Sequence, residues 1–368
     1  MITVKAPEQY WNEPDLLFKS GSLIAPLGKT ALIIAGKKAL DTVRSIFLDS
    51  LDQSGIAYSI LEFGGKVTTS EVEAYTVTAL EKKADVVIGI GGGKALDLSK
   101  AVGGKLSLPV VAVPTVAATC ASWAAVSVLY DDLGRSSGYL LNQRSPALVL
   151  ADTRVLAAAP KRYLASGIGD TIVKWYETVV NSNDDPDGLD IRFATQTAKL
   201  ALDRLHTHSL QAYETAGTGK VTPAFTETID AVIVLAGLAG TLQGSTARAA
   251  IAHSIHNSLT FIPQTSGSLH GEKVAFGLLT QVVLEQRTEA EINQLAIWLH
   301  KLGLPLTLKE LGIVQDPAII AIEIARRFQL RENADKGLSF EVNESLLIQA
   351  LQQADQWGRR IIQEAYTK

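Results

Sequence analysis

The chain has 368 residues, 47% of them hydrophobic, and a formal net charge of −4. That length accommodates two globular domains, and the mildly acidic balance excludes a nucleic-acid binder working by bulk positive charge. Cys120 is the only cysteine, which excludes an intramolecular disulfide or a cysteine-rich metal site and points to a reducing compartment. The opening segment, MITVKAPEQYWNEPDLL, mixes charges, prolines and apolar residues with no long apolar core. Neither a secretory signal nor a membrane span is expected there, and the expected location is the cytoplasm. Residues 30 to 151 alternate short β-rich apolar runs (TALIIA, AYSILEF, DVVIGI, PVVAVP, ALVLAD) with helical patterns such as SEVEAYTVTALEKKAD. This is the rhythm of parallel βαβ units in a doubly wound sheet. From about Lys161 onward, segments rich in Ala, Leu, Glu and Gln repeat at helical spacing, with breaks at NSNDDPDG, TAGTGKVTP and FIPQTSGS. The acidic NSNDDPDG reads as a solvated loop. The predicted division is an α/β dinucleotide-binding domain over residues 1–160 and an all-helical, metal-binding domain over 161–368.

At the junction of a strand and a helix stands VVIGIGGGKALDLSKAV, residues 86–102, with three consecutive glycines followed by Lys94. In an open parallel sheet, ligands collect at the carboxyl ends of strands, where a helix N-terminus presents free N–H groups to an anion. Gly91, Gly92 and Gly93 let a pyrophosphate approach the main chain, and Lys94 adds a cation. The same triplet also fits a tight turn that needs only conformational freedom.

Asp170 begins a helical pattern in LASGIGD, His253 and His256 sit three apart in IAHSIHNSL, and His270 precedes another helix in SLHGEKVAFG. A carboxylate and two imidazoles from separate helices make a three-ligand divalent-metal site with one position open for water or substrate. Taken singly, the histidine pair also fits a helix surface or satisfied core, and Asp170 also fits a helix cap.

Together, GGGKALDLSKAV, VPTVAATCASWAAVSVLYDD, LASGIGD, IAHSIHN and HGEKVAFG resemble, in order and spacing, the glycerol dehydrogenases of the iron-containing alcohol dehydrogenase superfamily. The resemblance covers nearly the whole chain. It implies an N-terminal α/β nucleotide domain, a helical C-terminal domain and an active site in the cleft between them. By position it implies Asp170, His253 and His270 as metal ligands and His256 as a second histidine beside them that can carry a proton. It implies Gly91, Gly92, Gly93, Lys94, Asp97, Thr115, Ala118, Val126 and Tyr130 as the cofactor groove. The implied ion is zinc ahead of iron, acting as a Lewis acid on the substrate oxygen, and the implied assembly is a homo-oligomer acting on a small molecule, with no nucleic acid or membrane partner.

Two departures from glycerol dehydrogenase bear on specificity. NAD-using members carry an acidic residue at the end of the strand read in TALIIA, whereas this chain has Gly36 followed by Lys37 and Lys38. A carboxylate repels a 2′-phosphate, while glycine makes room for one and lysine pairs with it, so NADP is expected over NAD. Glycerol dehydrogenases also read Ser-Thr-Asp after PT, where the aspartate binds substrate hydroxyls. Here the loop is PTVAATCASW, with Cys120 in place of that carboxylate and Trp123 after it, both expected to line the substrate. TCASW resembles the loop of hydroxycarboxylate dehydrogenases, and loss of an anion favours a carboxylate substrate. Lys174 and Lys273 are candidates for the cation that would hold it. The expected activity is NADPH-dependent 2-oxo acid reduction. The alternative is glycerol oxidation to dihydroxyacetone with NAD. A dehydroquinate synthase-like lyase lacks its cluster of basic residues here, and a non-catalytic nucleotide binder is disfavoured by the retained ligand set.

Overall fold

The computed structural model describes residues 3–180, 188–241, 250–330 and 334–367. Among the described residues there are eight strands: β1 (Gln9–Glu13), β2 (Thr30–Ala35), β3 (Ala57–Glu62), β4 (Val86–Gly91), β5 (Val110–Pro114), β6 (Val126–Tyr130), β7 (Ser136–Leu141) and β8 (Leu148–Asp152). Six form one parallel sheet in the order β1-β8-β5-β4-β2-β3, and β6 with β7 makes a separate antiparallel hairpin. The five strands expected from sequence are all present. Their continuous apolar runs reflect burial on both faces: every residue of β4, β5 and β8 is buried.

Helices α1 (Ser20–Ile24), α2 (Lys37–Gln53), α3 (Thr69–Glu81), α4 (Gly93–Leu106) and α5 (Thr153–Ala158) belong to this half. Helix α3 starts where the Thr68 hydroxyl accepts from the Glu71 N–H at 3.1 Å. Helix α4 lies so close to the sheet that a Cβ on Gly89 of β4 would come 2.6 Å from Ser99 Oγ. The chain passes from β2 outward to β3 and returns to β4 on the other side of β2. The topological switch point therefore falls between β2 and β4, where Gly36 and Gly91–Gly93 are found.

The helical half comprises α6 (Lys161–Val179), α7 (Leu189–Thr215), α8 (Pro223–Asp230), α9 (Ala236–Thr241), α10 (Ile251–Leu259), α11 (His270–Leu284), α12 (Glu289–Lys301), α13 (Pro317–Arg327) and α14 (Glu344–Tyr366). A π-helical turn, Ala231–Leu235, joins α8 to α9. The breaks expected at TAGTGKVTP and FIPQTSGS separate α7 from α8 and α10 from α11. Most of NSNDDPDG, residues 181–187, lies outside the described residues. The run Pro223–Thr241 is long and apolar enough by composition to cross a membrane, but 56% of its apolar window is buried inside the fold. Ile229, Ala231, Val232 and Ile233 are fully buried in the helical core, so the run's apolar character is that of a core helix.

That core also takes in Ala117, Trp123, Ala151 and Leu156 from the α/β half, so the two halves share apolar contact. At their seam, the Tyr10 hydroxyl donates to Asp230 Oδ1 at 2.8 Å, and the Asn12 amide donates to the same oxygen at 2.7 Å.

Candidate active site

Asp170 on α6, His253 on α10 and His270 at the first position of α11 converge, with one ligand atom from each within 4.8 Å of the others. His253 Nε2 lies 3.3 Å and His270 Nε2 3.4 Å from Asp170 Oδ1. Close helix approach makes this possible. A Cβ on Gly271 would come 1.8 Å from the Ser166 carbonyl oxygen, and one on Gly169 would come 2.9 Å from the Gly271 carbonyl oxygen. Gly169 of LASGIGD and Gly271 of HGEKVAFG thus let the backbones of α6 and α11 touch, which brings Asp170 against His270. The Ser166 hydroxyl accepts from the Gly271 N–H at 3.0 Å at the same crossing.

The imidazoles are held from behind. The Glu177 carboxylate accepts the His253 backbone N–H at 3.0 Å and meets His253 Nδ1 at 2.7 Å, leaving Nε2 for the cluster. His256 Nε2 meets His270 Nδ1 at 3.0 Å, and its own Nδ1 faces Asn257 Oδ1 at 3.1 Å. Outer partners of this kind fix the tautomer and ring orientation of ligating histidines. Burial alone would raise the Asp170 carboxyl, but the Lys174 ammonium at 3.1 Å and the two histidines hold it well below the usual carboxylate range. A buried carboxylate kept ionised beside two oriented imidazoles is a donor set that fits a divalent cation of the zinc or iron type.

In the α/β half, Gly91 ends β4 at φ +148°, a conformation suited to glycine, and its carbonyl accepts from the Thr115 N–H at 3.1 Å. Gly92 caps α4 and Gly93 opens it. A Cβ on Gly92 would come 3.2 Å from Val116 Cγ2, and one on Gly93 would come 3.3 Å from Thr119 Oγ1. The Lys94 ammonium sits 4.6 Å from the centroid of the Tyr130 ring. Gly36 caps α2, and a Cβ there would meet nothing within 4 Å. Lys37 follows it, largely exposed and paired with Asp41 at 3.1 Å.

The family model for iron-containing alcohol dehydrogenases matches residues 7–153. The chain is 34% identical to glycolaldehyde reductase of Halobacterium salinarum, over 97% of this chain and 98% of the relative. It is 36% identical to hydroxycarboxylate dehydrogenase A of Escherichia coli, over 77% of each chain. Among solved structures, glycerol dehydrogenase of Schizosaccharomyces pombe superposes with a TM-score of 0.89 at 28% identity, covering 100% of this chain and 93% of that one. The chain belongs to the iron-containing alcohol dehydrogenase family. It is a nicotinamide-linked dehydrogenase acting on CH–OH groups of small molecules, in a metal-binding family.

Several residues of this dehydrogenase sit differently from expectation. Asp97 does not open into the groove. Oδ1 pairs with Lys100 at 2.8 Å and Oδ2 accepts the Val128 N–H at 3.2 Å, with Asp97 6% exposed and Lys100 2%. The carboxylate ties α4 to the strand β6 that passes over it. Lys100 completes the tie by donating to the Ala124 and Val126 carbonyls, and neither role was apparent in the sequence. Trp123 packs its ring edge-on to Tyr10 at 6.0 Å and over Gly237, in the core rather than on an open substrate wall. Cys120, by contrast, lies within electrostatic reach of Lys174 and Asp170, and burial pushes its thiol up to about 11. His256 is buried against His270, and burial together with His270 and Lys273 holds its pKa well below the ordinary imidazole value. That environment suits an orienting imidazole better than a proton carrier. The Ala118 carbonyl receives the Ser166 hydroxyl at 3.4 Å, so this loop abuts α6 next to the cluster. Glu177 escaped the sequence reading, although it follows Asp170 by seven residues, two turns along the same helical face.

Proposed function

We propose that this dehydrogenase reduces small 2-oxo acids with NADPH, with a divalent ion, zinc ahead of iron, held by Asp170, His253 and His270. The observation that carries the cofactor preference is the open space at Gly36. It adjoins the glycine loop at the switch point, where a carboxylate would face the adenosine ribose, and Lys37 stands at its rim. On the substrate side, Cys120 stands near the cluster where an aspartate would repel an acid. The similarity to hydroxycarboxylate dehydrogenase A supports the same substrate class.

The chain's own residues divide the work. Gly91, Gly92 and Gly93 offer main-chain N–H groups and room to a pyrophosphate at the start of α4, and Lys94 adds charge. Glu177 and His256 keep His253 and His270 oriented, so the Nε2 atoms face Asp170 before any ligand arrives. When bound, the nicotinamide supplies hydride and the ion supplies Lewis-acid polarisation of the substrate oxygen. The reading also carries a cytoplasmic homo-oligomer, as the family resemblance implies.

A second reading, NAD-dependent glycerol oxidation, is favoured by the close superposition on glycerol dehydrogenase. A steady-state screen of NADPH and NADH against 2-oxo acids, dihydroxyacetone and glycolaldehyde separates the two. NADPH and 2-oxo acids are expected to give the highest kcat/KM. Gly36→Asp is expected to reverse the nucleotide preference, and Cys120→Asp to depress acid reduction about 10 to 100-fold more than reduction of a neutral ketone. A wild type that prefers NADH and dihydroxyacetone would overturn the proposal.

A further inference from the structure

Lys94, Lys100, Lys174 and Lys273 belong to the elements that carry the glycine loop and the metal ligands, and the first three are already engaged. Lys94 lies over the Tyr130 ring. Lys100 is consumed by Asp97 and two carbonyls. Lys174 is paired with Asp170. Lys273 is the exception. It is 8% exposed, and among the described residues its ammonium has no hydrogen bond and no carboxylate within ion-pair distance. Its neighbour Glu272 is taken, accepting two bonds from Arg162 and one from the Leu269 N–H at 2.7 Å.

Position gives this orphan cation a direction. Lys273 follows His270 by three residues in the first turn of α11, so the two side chains share a helical face. Lys94 is close enough to act electrostatically on Lys273, and Lys273 close enough to act on His256, so Lys273 is near both the lysine of the glycine loop and the histidine cluster. A largely buried lysine beside a second cation, whose nearby opposite charge, Glu272, is already bonded to Arg162, is a costly arrangement that an anion relieves.

We propose that Lys273 holds the carboxylate of the substrate while the substrate's carbonyl end faces the Asp170, His253 and His270 cluster. This rests on the 2-oxo acid reading above and names the group that makes it specific. The glycine loop and Lys94, on the other half of the molecule, are left for the cofactor's phosphates. Lys174 is excluded from the role because its ammonium already serves Asp170. Burial and the nearby Lys94 lower the Lys273 ammonium to about 8, so it is charged at neutral pH and available to an anion.

The test compares pyruvate with methyl pyruvate, the same skeleton without the charge, in metal-loaded full-length enzyme with NADPH. Lys273→Met is expected to lower kcat/KM for pyruvate roughly 10 to 100-fold, mainly through KM, while methyl pyruvate changes by less than about threefold. Calorimetric titration with oxamate, a non-reducible carboxylate analogue, is expected to show a comparable loss of affinity. Fluorescence titration with NADPH is expected to show none. Retained preference for pyruvate in Lys273→Met would overturn the assignment. So would an equal loss on both substrates accompanied by weaker NADPH binding, which would give Lys273 to a cofactor phosphate. A wild type that takes methyl pyruvate and dihydroxyacetone but not pyruvate would overturn the 2-oxo acid reading itself, before any variant is made, and Lys273's assignment with it.

Discussion

Asp97→Asn tests whether the acidic residue beside the glycine loop serves the fold or the cofactor. In the native chain the Lys100 ammonium, 2% exposed, has one counter-charge, Asp97 Oδ1 at 2.8 Å, and two carbonyl acceptors. The amide removes the counter-charge, and its NH2 must face either the Lys100 ammonium or the Val128 N–H, donor against donor. Breaking a buried pair from one side costs about 3–5 kcal/mol, because the remaining charge stays buried and uncompensated. For a domain of this size that corresponds to a fall in Tm of roughly 6–20 °C. Pairing it with Lys100→Met removes the stranded charge as well, so the double variant is expected to recover much of the loss, a coupling of about 2–3 kcal/mol. Urea denaturation followed by circular dichroism, with the slope checked for two-state behaviour, reads both effects. At a temperature where Asp97→Asn is folded, its Kd for NADPH is expected to stay within a few-fold of the parent. Parental stability combined with an NADPH affinity weakened about tenfold would refute the structural role and return Asp97 to the cofactor groove.

His253→Ala or His270→Ala is expected to lose the metal and abolish turnover while NADPH still binds, as metal analysis and fluorescence titration would show. Glu177→Gln, which leaves all three ligands in place, is expected to weaken metal affinity about 10 to 100-fold, and unchanged affinity would remove Glu177 from the site. Gly92→Val places a branched side chain against Val116 and over the phosphate path, and is expected to raise the Kd for either nicotinamide cofactor sharply with the fold retained. Lys273 titrates at about 8 in the folded protein against an ordinary value of 10.5, so between those values the unfolded chain binds the extra proton and the cost of burying the charge fades as pH rises. In metal- and cofactor-free protein, Lys273→Met is therefore expected to raise Tm most at pH 7 and progressively less toward pH 10, and a pH-independent shift would contradict it.

The sheet was legible in the sequence because β2, β4, β5 and β8 are buried on both faces and appear as unbroken apolar runs. Strand β1, with the sequence QYWNE, was not, because it is an edge strand paired only with β8 and its mixed polarity carries no period. The β6–β7 hairpin escaped for a related reason: Tyr139 and Leu141 are exposed while Ser127 is buried, the reverse of a clean alternation. The metal ligands were legible as types, a carboxylate and imidazoles, and the two histidines lie near the starts of α10 and α11. Asp170, expected to open a helix, instead sits midway along α6, because the helix already begins at Lys161. Glu177 was not legible, since it reaches the ligands from behind, through the His253 backbone N–H and Nδ1. Asp97 misled because three residues past a cofactor lysine is also three residues before Lys100, and only the path of β6 over α4 decides which partner it takes.

The contact of α6 with α11 at Ser166 and Gly271 sets a limit on how this framework can change. Main chain rests on main chain there, with the short Ser166 side chain at the contact already bonded to the Gly271 N–H, so the separation of Asp170 from His270 is not one that lengthening a side chain can readily adjust. Any residue larger than glycine at 271 forces the helices apart and takes one ligand with it. A lineage or an engineer seeking a different ion must therefore work at fixed carpentry, altering charge and hydrogen bonding around the ligands, at Lys174, Glu177 and His256, rather than the ligand spacing itself.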